Sequence, residues 1–259
     1  MAASIIPQPI EPIVKSFLID GKLPGNAGFH NSVYRGKYLG DSLTADQSTA
    51  ILAGTFDDLF IGDYWTINGV DWVIAECDPK YRTSDRNMNT HHIGVIPRGA
   101  LYTAQWNSTN DTTTGYVNSL IRTNIRSSTN GTAEGAQLKV IAAFGDSHVL
   151  PYRELYPSAY SGQNAVTWAW VNAKVELMSE FDVYGANIWA GNAYEIGTGK
   201  HQLAIFRLQP DFANIRAHWW LRSVSTRDTG LAATVAQDGQ SLGGGASQSF
   251  GVRPLSLIA

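Results

Sequence analysis

The stretch that decides the fold lies at the end of the chain: Trp219-Trp220-Leu221-Arg222-Ser223, a run rich in Ser, Thr, Gln and Gly over 224–249, then Phe250-Gly251-Val252-Arg253-Pro254 and the apolar close Leu255-Ser256-Leu257-Ile258. Neighbouring residues of a strand point to opposite faces, so one of Trp219 and Trp220 is expected in the core and the other, Trp220, along an adjoining groove. Arg222 and Arg253 stand among apolar neighbours, where a guanidinium is expected to hold buried hydrogen bonds to carboxylates or carbonyls. The run between the blocks reads as freed from core duty. Its Ser225, Thr226, Arg227, Asp228, Gln237, Asp238, Gln240, Ser241, Ser247 and Gln248 would form a polar surface presented on a rigid scaffold, with an ordinary solvated loop and edge strand as the competing reading.

Moving back along the chain, FIGDYWTINGVDWVIAE (60–76) is two aromatic and β-branched runs around Asn68-Gly69, which predicts a two-residue hairpin. HHIGVIP (91–97), LKVIAAF (138–144) and KVELM (174–178) read as further strands. Helices are predicted at 114–126, capped by the preceding threonines, at 43–56 with Thr44 or Ser42 as cap, and in a short piece near 152–156. From Ile188 onward the pattern is short strands and Gly-rich loops, with GGGAS (243–247) a low-complexity tract. Strands with about two helices and long loops at irregular spacing predict an α+β fold. Residues 1–15 alternate apolar residues with Pro, an extended arm expected to pack on its own body or on a neighbouring subunit.

The chain has 259 residues, 22 acidic against 19 basic, and a formal charge of -3. Domains that wrap nucleic acid carry clustered Lys and Arg, so no nucleic-acid partner is expected. Only 16% of residues are charged, against 25 Gly, 8 Trp, 11 Tyr and 9 Phe, so the polar surface must be made of Ser, Thr, Asn, Gln and Gly. Such a composition suits neutral contact better than catalysis on charged metabolites. Cys77 is the one cysteine, which leaves no intramolecular disulfide and no thiolate cluster within a chain. No apolar run reaches the roughly 18 residues of a membrane span, and the N-terminus lacks the pattern of a signal peptide, so a soluble protein without membrane insertion is expected.

VIAAFGDSHV (140–149) resembles the nucleophile block of the SGNH, or GDSL-type, hydrolases, in which Ser147 would attack an ester. That family draws its base from an Asp-x-x-His near the C-terminus, a spacing this sequence lacks, and a strand ending in a turn with Asp146 and Ser147 bonding locally is the alternative. His91 and His92 on a strand face opposite ways and do not meet on one metal, while His148, His201 and His218 are isolated. Glu176 and Glu180 would share a face only on a helix, where an acid pair could flank a glycosidic bond. No metal and no cofactor is expected.

WWLRS (219–223) and FGVRP (250–254) together resemble the C-terminal signature of C-type lectin-like domains found in bacteriophage and prophage structural proteins and in the variable proteins of diversity-generating retroelements. IGDYWTINGVDWVIAE, HHIGVIP, AFGDSHVLPYREL and WAWVNAKVELMSEFDVYG are similar to phage members too, so the likeness covers most of 56–259. The resemblance implies a C-type lectin-like fold over 56–259, preceded by an arm and short helix over 1–55, with the terminal strand at 256–258 beside one arm of the 60–76 hairpin. The sequence departs from calcium-dependent lectins, having no Glu-Pro-Asn, Gln-Pro-Asp or Trp-Asn-Asp string, and from the formylglycine-generating enzymes, which need C-terminal cysteines.

The expected function is a non-enzymatic phage virion structural protein that decorates capsid or tail and presents a lectin-like surface to a host glycan or protein. Residues 1–15 would contact other virion proteins. Phage surface proteins of this kind are commonly homo-oligomers, often trimers, and the expected location is the virion surface. The alternatives are an esterase or glycan-active enzyme using Ser147, and a bacterial variable surface protein that binds a ligand.

Overall fold

Asn68 and Gly69 take positive φ angles of 53° and 74°, and the turn they make joins β2 (Tyr64–Ile67) to β3 (Val70–Cys77) with Ile67 opposite Val70. Both angles are those of the hairpin turn that matches strand twist. A computed structural model describes residues 24–127, 135–161, 164–190, 201–225 and 227–259. The arm at 1–15 and Thr226 lie outside the described residues. Within them the hairpin is the middle of a six-stranded sheet that also holds β1 (Tyr38–Gly40), β4 (Ile93–Pro97), β8 (Val175–Leu177) and β13 (Pro254–Ile258), in the order β1-β2-β3-β4-β13-β8. The terminal strand therefore pairs with β4 and β8, one place removed from the hairpin it was expected to flank. Its five residues are all buried, which suits the continuous apolar run Leu255-Ser256-Leu257-Ile258 to a central strand.

A five-stranded sheet holds β5 (Tyr102–Gln105), β9 (Trp219–Val224), β10 (Leu231–Val235), β11 (Ser241–Gly245) and β12 (Ser249–Val252), in the order β11-β10-β9-β12-β5. A separate two-stranded ribbon pairs β6 (Tyr152–Ser161) with β7 (Asn164–Ala173). Pairing is antiparallel except for β1 with β2 and the single contact of Gly251 with Trp219. Six short helices complete an α+β fold among the described residues: α1 (Ala27–His30), α2 (Ala45–Leu52), α3 (Leu120–Arg126), α4 (Ala136–Phe144), α5 (Glu180–Tyr184) and α6 (Ala204–Leu208). Thr44 caps α2 in a reciprocal box with Gln47, as its position in the sequence suggests.

Several readings change. Residues 138–144 lie in α4, not a strand: Ala136, Val140 and Phe144 recur at helical spacing on its buried side, and the Phe144 ring meets Trp65 and Trp72 edge-on. Residues 152–156 form a strand, not a helix, because Tyr152, Glu154 and Tyr156 alternate inward. The helix expected over 114–126 begins only at Leu120, capped by Ser119 after a 3-10 turn at Tyr116–Asn118. Residues 24–55 share the body's core, Ala50 and Ile51 being buried and Tyr34 bridging Ile61, so the packing has no break at residue 55.

The tract at 243–247 is a strand and a turn whose glycines make room for rings. A Cβ on Gly244 would sit 2.7 Å from the Phe250 ring and 2.8 Å from the Thr234 methyl, whereas a Cβ on Gly99 meets nothing within 4 Å. Gly244→Val is expected to cost about 1–3 kcal/mol through overpacking. In urea its midpoint should fall while Gly99→Ala stays within error of wild type; equal midpoints for both variants would contradict this packing.

Candidate functional site

β9 puts Arg222 where three sheets meet. Its Nη1 donates to the Leu177 carbonyl of β8 at 3.0 Å and to Asp182 of α5 at 2.8 Å, and its Nη2 donates to Glu154 of β6 at 3.3 Å. Lys80 Nζ donates to the same Glu154 oxygen at 2.9 Å, and the Tyr156 hydroxyl donates to the other at 2.9 Å. Two cations thus face two carboxylates in the interior. Burial works to raise the Asp182 carboxyl, but Arg222, Lys80 and the Ser179 hydrogen bonds outweigh it and hold it below its ordinary value. A second buried pair stands nearby, Arg122 Nη2 donating to Glu176 at 2.9 Å with the Tyr116 hydroxyl on the other oxygen at 2.8 Å. There burial wins and pushes Glu176 up. Burial likewise raises Tyr116, Tyr152 and Tyr156, leaving them neutral. These carboxylates are enclosed and engaged, and their arrangement is that of a scaffold.

Arg253 marks the residue at which the chain leaves the five-stranded sheet and enters the six-stranded one. Its Nε donates to the Pro97 carbonyl at the end of β4 and its Nη1 to the Phe212 carbonyl, both at 2.9 Å, while Phe206, Phe212 and Trp219 surround the guanidinium. Burial, helped by the Arg98 charge, pulls it down to about 9, which leaves it charged at pH 7. Both arginines thus have the buried partners expected of them.

The residues read as a polar surface divide into three groups. Arg227 and Asp228 follow β9, and Ser247 and Gln248 lie between β11 and β12; Asp228, Ser247 and Gln248 gather around Asn110. Asn110 Oδ1 accepts from the Ser247 backbone N–H at 2.9 Å and from its hydroxyl at 2.8 Å. Thr112 donates through its N–H and its hydroxyl to the Thr229 carbonyl, Asn107 N–H donates to the Ala246 carbonyl, and Ala246 N–H donates to the Gly230 carbonyl. Three loops distant in sequence, 107–113, 227–230 and 245–248, are thereby fastened together. Asp228 Oδ1 and Gln248 Oε1 accept from the N–H groups of Gly230 and Gly245, and the exposed Arg227 lies 4.7 Å over the Trp189 ring.

A second group, Gln237, Asp238 and Gln240, sits in the β10–β11 turn at the opposite end of that hairpin, roughly 16 Å away for five residues of strand. The third group, Trp220, Ser225 and the half-buried Ser241, is turned inward. Trp220 is fully buried, its indole N–H donating to the Ala104 carbonyl and its ring 4.8 Å from Phe250, so it lines no groove. Ser225 is fully buried as well, and Ser241 donates to Glu180, a buried carboxylate that also accepts from the backbone N–H groups of Ile188, Trp189 and Ala190. Nor is 224–249 free of core duty, since Ala232, Ala233, Thr234 and Val235 of β10 are buried. Asn107, Asn110, Thr112 and Trp189 were not foreseen in this cluster; the Asn- and Thr-rich string at 107–114 was the available signal.

A groove of about 750 Å³ opens near the second group, Gly239 packing against its wall at Asn214. Tyr34, Asp71, Arg98, Gln209 and Asp211 line it, and Arg98 is held by Asp71 at 3.0 Å and lies over the Tyr64 and Phe212 rings. Ser147 is exposed in the turn after α4, His148 is tied by Nδ1 to the Ala259 carbonyl, and Asp146 pairs with Lys174. No strand leads into Ser147, which removes the geometry on which the hydrolase resemblance rests. His91 bonds Asp78, whereas His92 donates through Nδ1 to the Thr90 carbonyl and accepts the Lys80 N–H at Nε2. Among the described residues no three His, Cys, Asp or Glu are placed to share a metal ion, and no helix is long and apolar enough to cross a membrane.

A family profile described as a domain of unknown function, DUF6273, matches residues 153–259. That stretch carries Glu154, Asp182, Arg222 and Arg253 but leaves out β1 to β5 and the first four helices. No curated protein and no solved structure matches the chain.

Removing Arg222 leaves Asp182 in the interior without its paired cation and Glu154 with Lys80 alone, so Arg222→Ala is expected to destabilise by about 3–5 kcal/mol, measured as a fall in urea midpoint; a loss under about 1 kcal/mol would contradict the network. His201 Nε2 lies 2.8 Å from Glu76, and that hydrogen bond raises the imidazole above its ordinary value of 6.5. A raised folded-state value means that the contribution is complete below about pH 6.5 and is lost as pH rises through the raised value. The Tm gap between wild type and His201→Gln should therefore narrow from pH 6 to pH 8.5, and a constant gap would refute the pairing.

Proposed function

We propose that this chain is a non-enzymatic structural protein of a phage virion, built on a C-type lectin-like fold and presenting a loop surface to a host-surface glycan or protein. The observation that carries this reading is the fastening of loops 107–113, 227–230 and 245–248 through Asn110, Thr112 and Asn107. Polar side chains stand on that cluster while buried strands hold the backbone beneath, an arrangement suited to recognition by rigid loops. The resemblance of the WWLRS and FGVRP strings supports the fold and the virion setting, and Gly251 pairing with Trp219 makes them neighbours. In this reading residues 1–15 contact other virion proteins, and the protein acts at the virion surface as a homo-oligomer.

Purified particles tested by antibody should contain the protein, and the isolated protein should adhere to host cells. Arg227→Ala combined with Gln248→Ala should weaken adhesion at least about tenfold with Tm within about 2 °C of wild type, since both side chains are exposed. Periodate or protease treatment of the cells then assigns the ligand to glycan or protein. Absence from particles removes the virion setting, and unchanged adhesion by the double variant removes the surface. Turnover of an acyl ester or cell-wall glycan that Ser147→Ala abolishes would replace both with the enzyme reading.

A further inference from the structure

β7 is an edge strand, and toward one end of it Arg122 donates to the Asn172 carbonyl at 3.4 Å. It pairs with β6 on one side and with no other strand among the described residues. Its ten residues, Asn-Ala-Val-Thr-Trp-Ala-Trp-Val-Asn-Ala, contain no charge and no proline. Edge strands expose a row of unpaired N–H and C=O groups, and natural sheets blunt such edges with Lys, Pro, inward-pointing charges or covering segments. A strand of this length, β-prone and neutral, remains a template for another strand.

The outward face of the same ribbon is apolar. Ala165 and Val171 turn inward against the core, while Val166 is 50% and Trp168 36% exposed. Leu155 of β6 lies opposite Trp170 and is only partly buried, as is Trp170 itself. Neither Trp168 nor Trp170 belongs to the buried core. Two tryptophans, a leucine and a valine thus stand together on the solvent side, bounded at one end by Arg153 donating to Asn172 and Asp85. Tryptophan is the residue most enriched at the energetic centres of interfaces, and such a patch marks an interaction surface.

We infer that the edge of β7 facing away from β6 is the contact between two copies of this chain, which join as β6-β7-β7-β6 in one four-stranded antiparallel sheet. The occupant follows from the chemistry of the edge. A neutral strand can lie antiparallel to itself with no like charges meeting, and a two-fold axis perpendicular to the sheet keeps the outward faces of both copies on one side. That symmetry pairs residues of equal parity. An axis at Ala169 sets its small side chain against itself and places Trp168 of each copy opposite Trp170 of the other, so four indoles cover one another outside. The irregular pairing of the ribbon is confined to 157–160 on β6, toward its tip, and the stretch Trp168–Ala173 is regular. This two-fold contact builds dimers and even-numbered assemblies, and it stands independently of the virion setting.

Sedimentation of the full chain over a concentration series should show a dimer. Trp168→Lys places two charges in the new sheet and should raise the dissociation constant at least about 30-fold, with near-unchanged far-UV circular dichroism and Tm because Trp168 is partly exposed. A monomeric wild type, or a Trp168→Lys protein that dimerises normally, overturns the inference. The register has its own readout, because Cys77 is buried and does not interfere. A mixture of Trp168→Cys and Trp170→Cys proteins should form an oxidised heterodimer in preference to either alone; the reverse preference overturns the axis at Ala169.

Discussion

The interior salt-bridge network at Arg222 is the constraint on which the rest of the architecture depends. Its guanidinium joins β9 of one sheet to β8 of another and to β6 of the ribbon, and the ribbon's Glu154 is shared with Lys80 from the loop after β3. Lone buried charges cost several kcal/mol each, so the four groups tolerate burial only together. A chain whose one cysteine is free and buried has no disulfide to tie such elements, and directional hydrogen bonds to charged groups do that work here. The geometry this demands is specific. Glu154 must come from an inward-facing strand position and Asp182 from the first turn of a helix capped by Ser179, so the network fixes the register of both.

Arg253 imposes a second, more local constraint. The crossing between the two large sheets after β4 and the one before β13 run together, and the Arg253 bond to the Pro97 carbonyl fastens them there. Aromatic rings take the place of counter-charges around it, which is workable for a weakly hydrated guanidinium and would not be for lysine. Both arginines of the terminal strings are therefore architecture. The contiguity of Trp219, Trp220 and Phe250 makes the same point: the tryptophans fill both sides of β9, and neither reaches solvent.

What could be read from the sequence follows from how local each signal is. The Asn68-Gly69 hairpin and the Thr44 cap depend on a few adjacent residues, and both are present. Residues 138–144 and 152–156 carry short apolar or mixed runs, which fit strand and helix alike; only the position of Trp65 and Trp72 against Phe144, and of Lys80 and Arg222 against Glu154, decides them. Trp220 failed as a surface residue because alternation along a strand distinguishes two faces but not which is solvated, and a strand packed on both sides buries both. The Asn110 cluster was out of reach for a similar reason. Its bonds to Ser247 span 137 positions, and no local pattern announces a pairing of that separation.

The distribution of polarity then has a physical explanation. Lys80, Arg122, Arg222, Glu154, Glu176 and Asp182 are committed inside, and the loops around Asn110 use amides and hydroxyls to bind one another. Such loops are attached to the ends of buried strands and bonded to one another both through the backbone and through the Asn110 and Thr112 side chains. Backbone bonds do not depend on which side chain is carried. Arg227 and Gln248 are exposed, Arg227 over the Trp189 ring and Gln248 accepting from the Gly245 N–H, whereas the half-buried Ser241 is committed through its hydroxyl to Glu180. A recognition surface on this fold has to be drawn from the first class of residue, and burial and bonding separate the two classes where sequence composition does not.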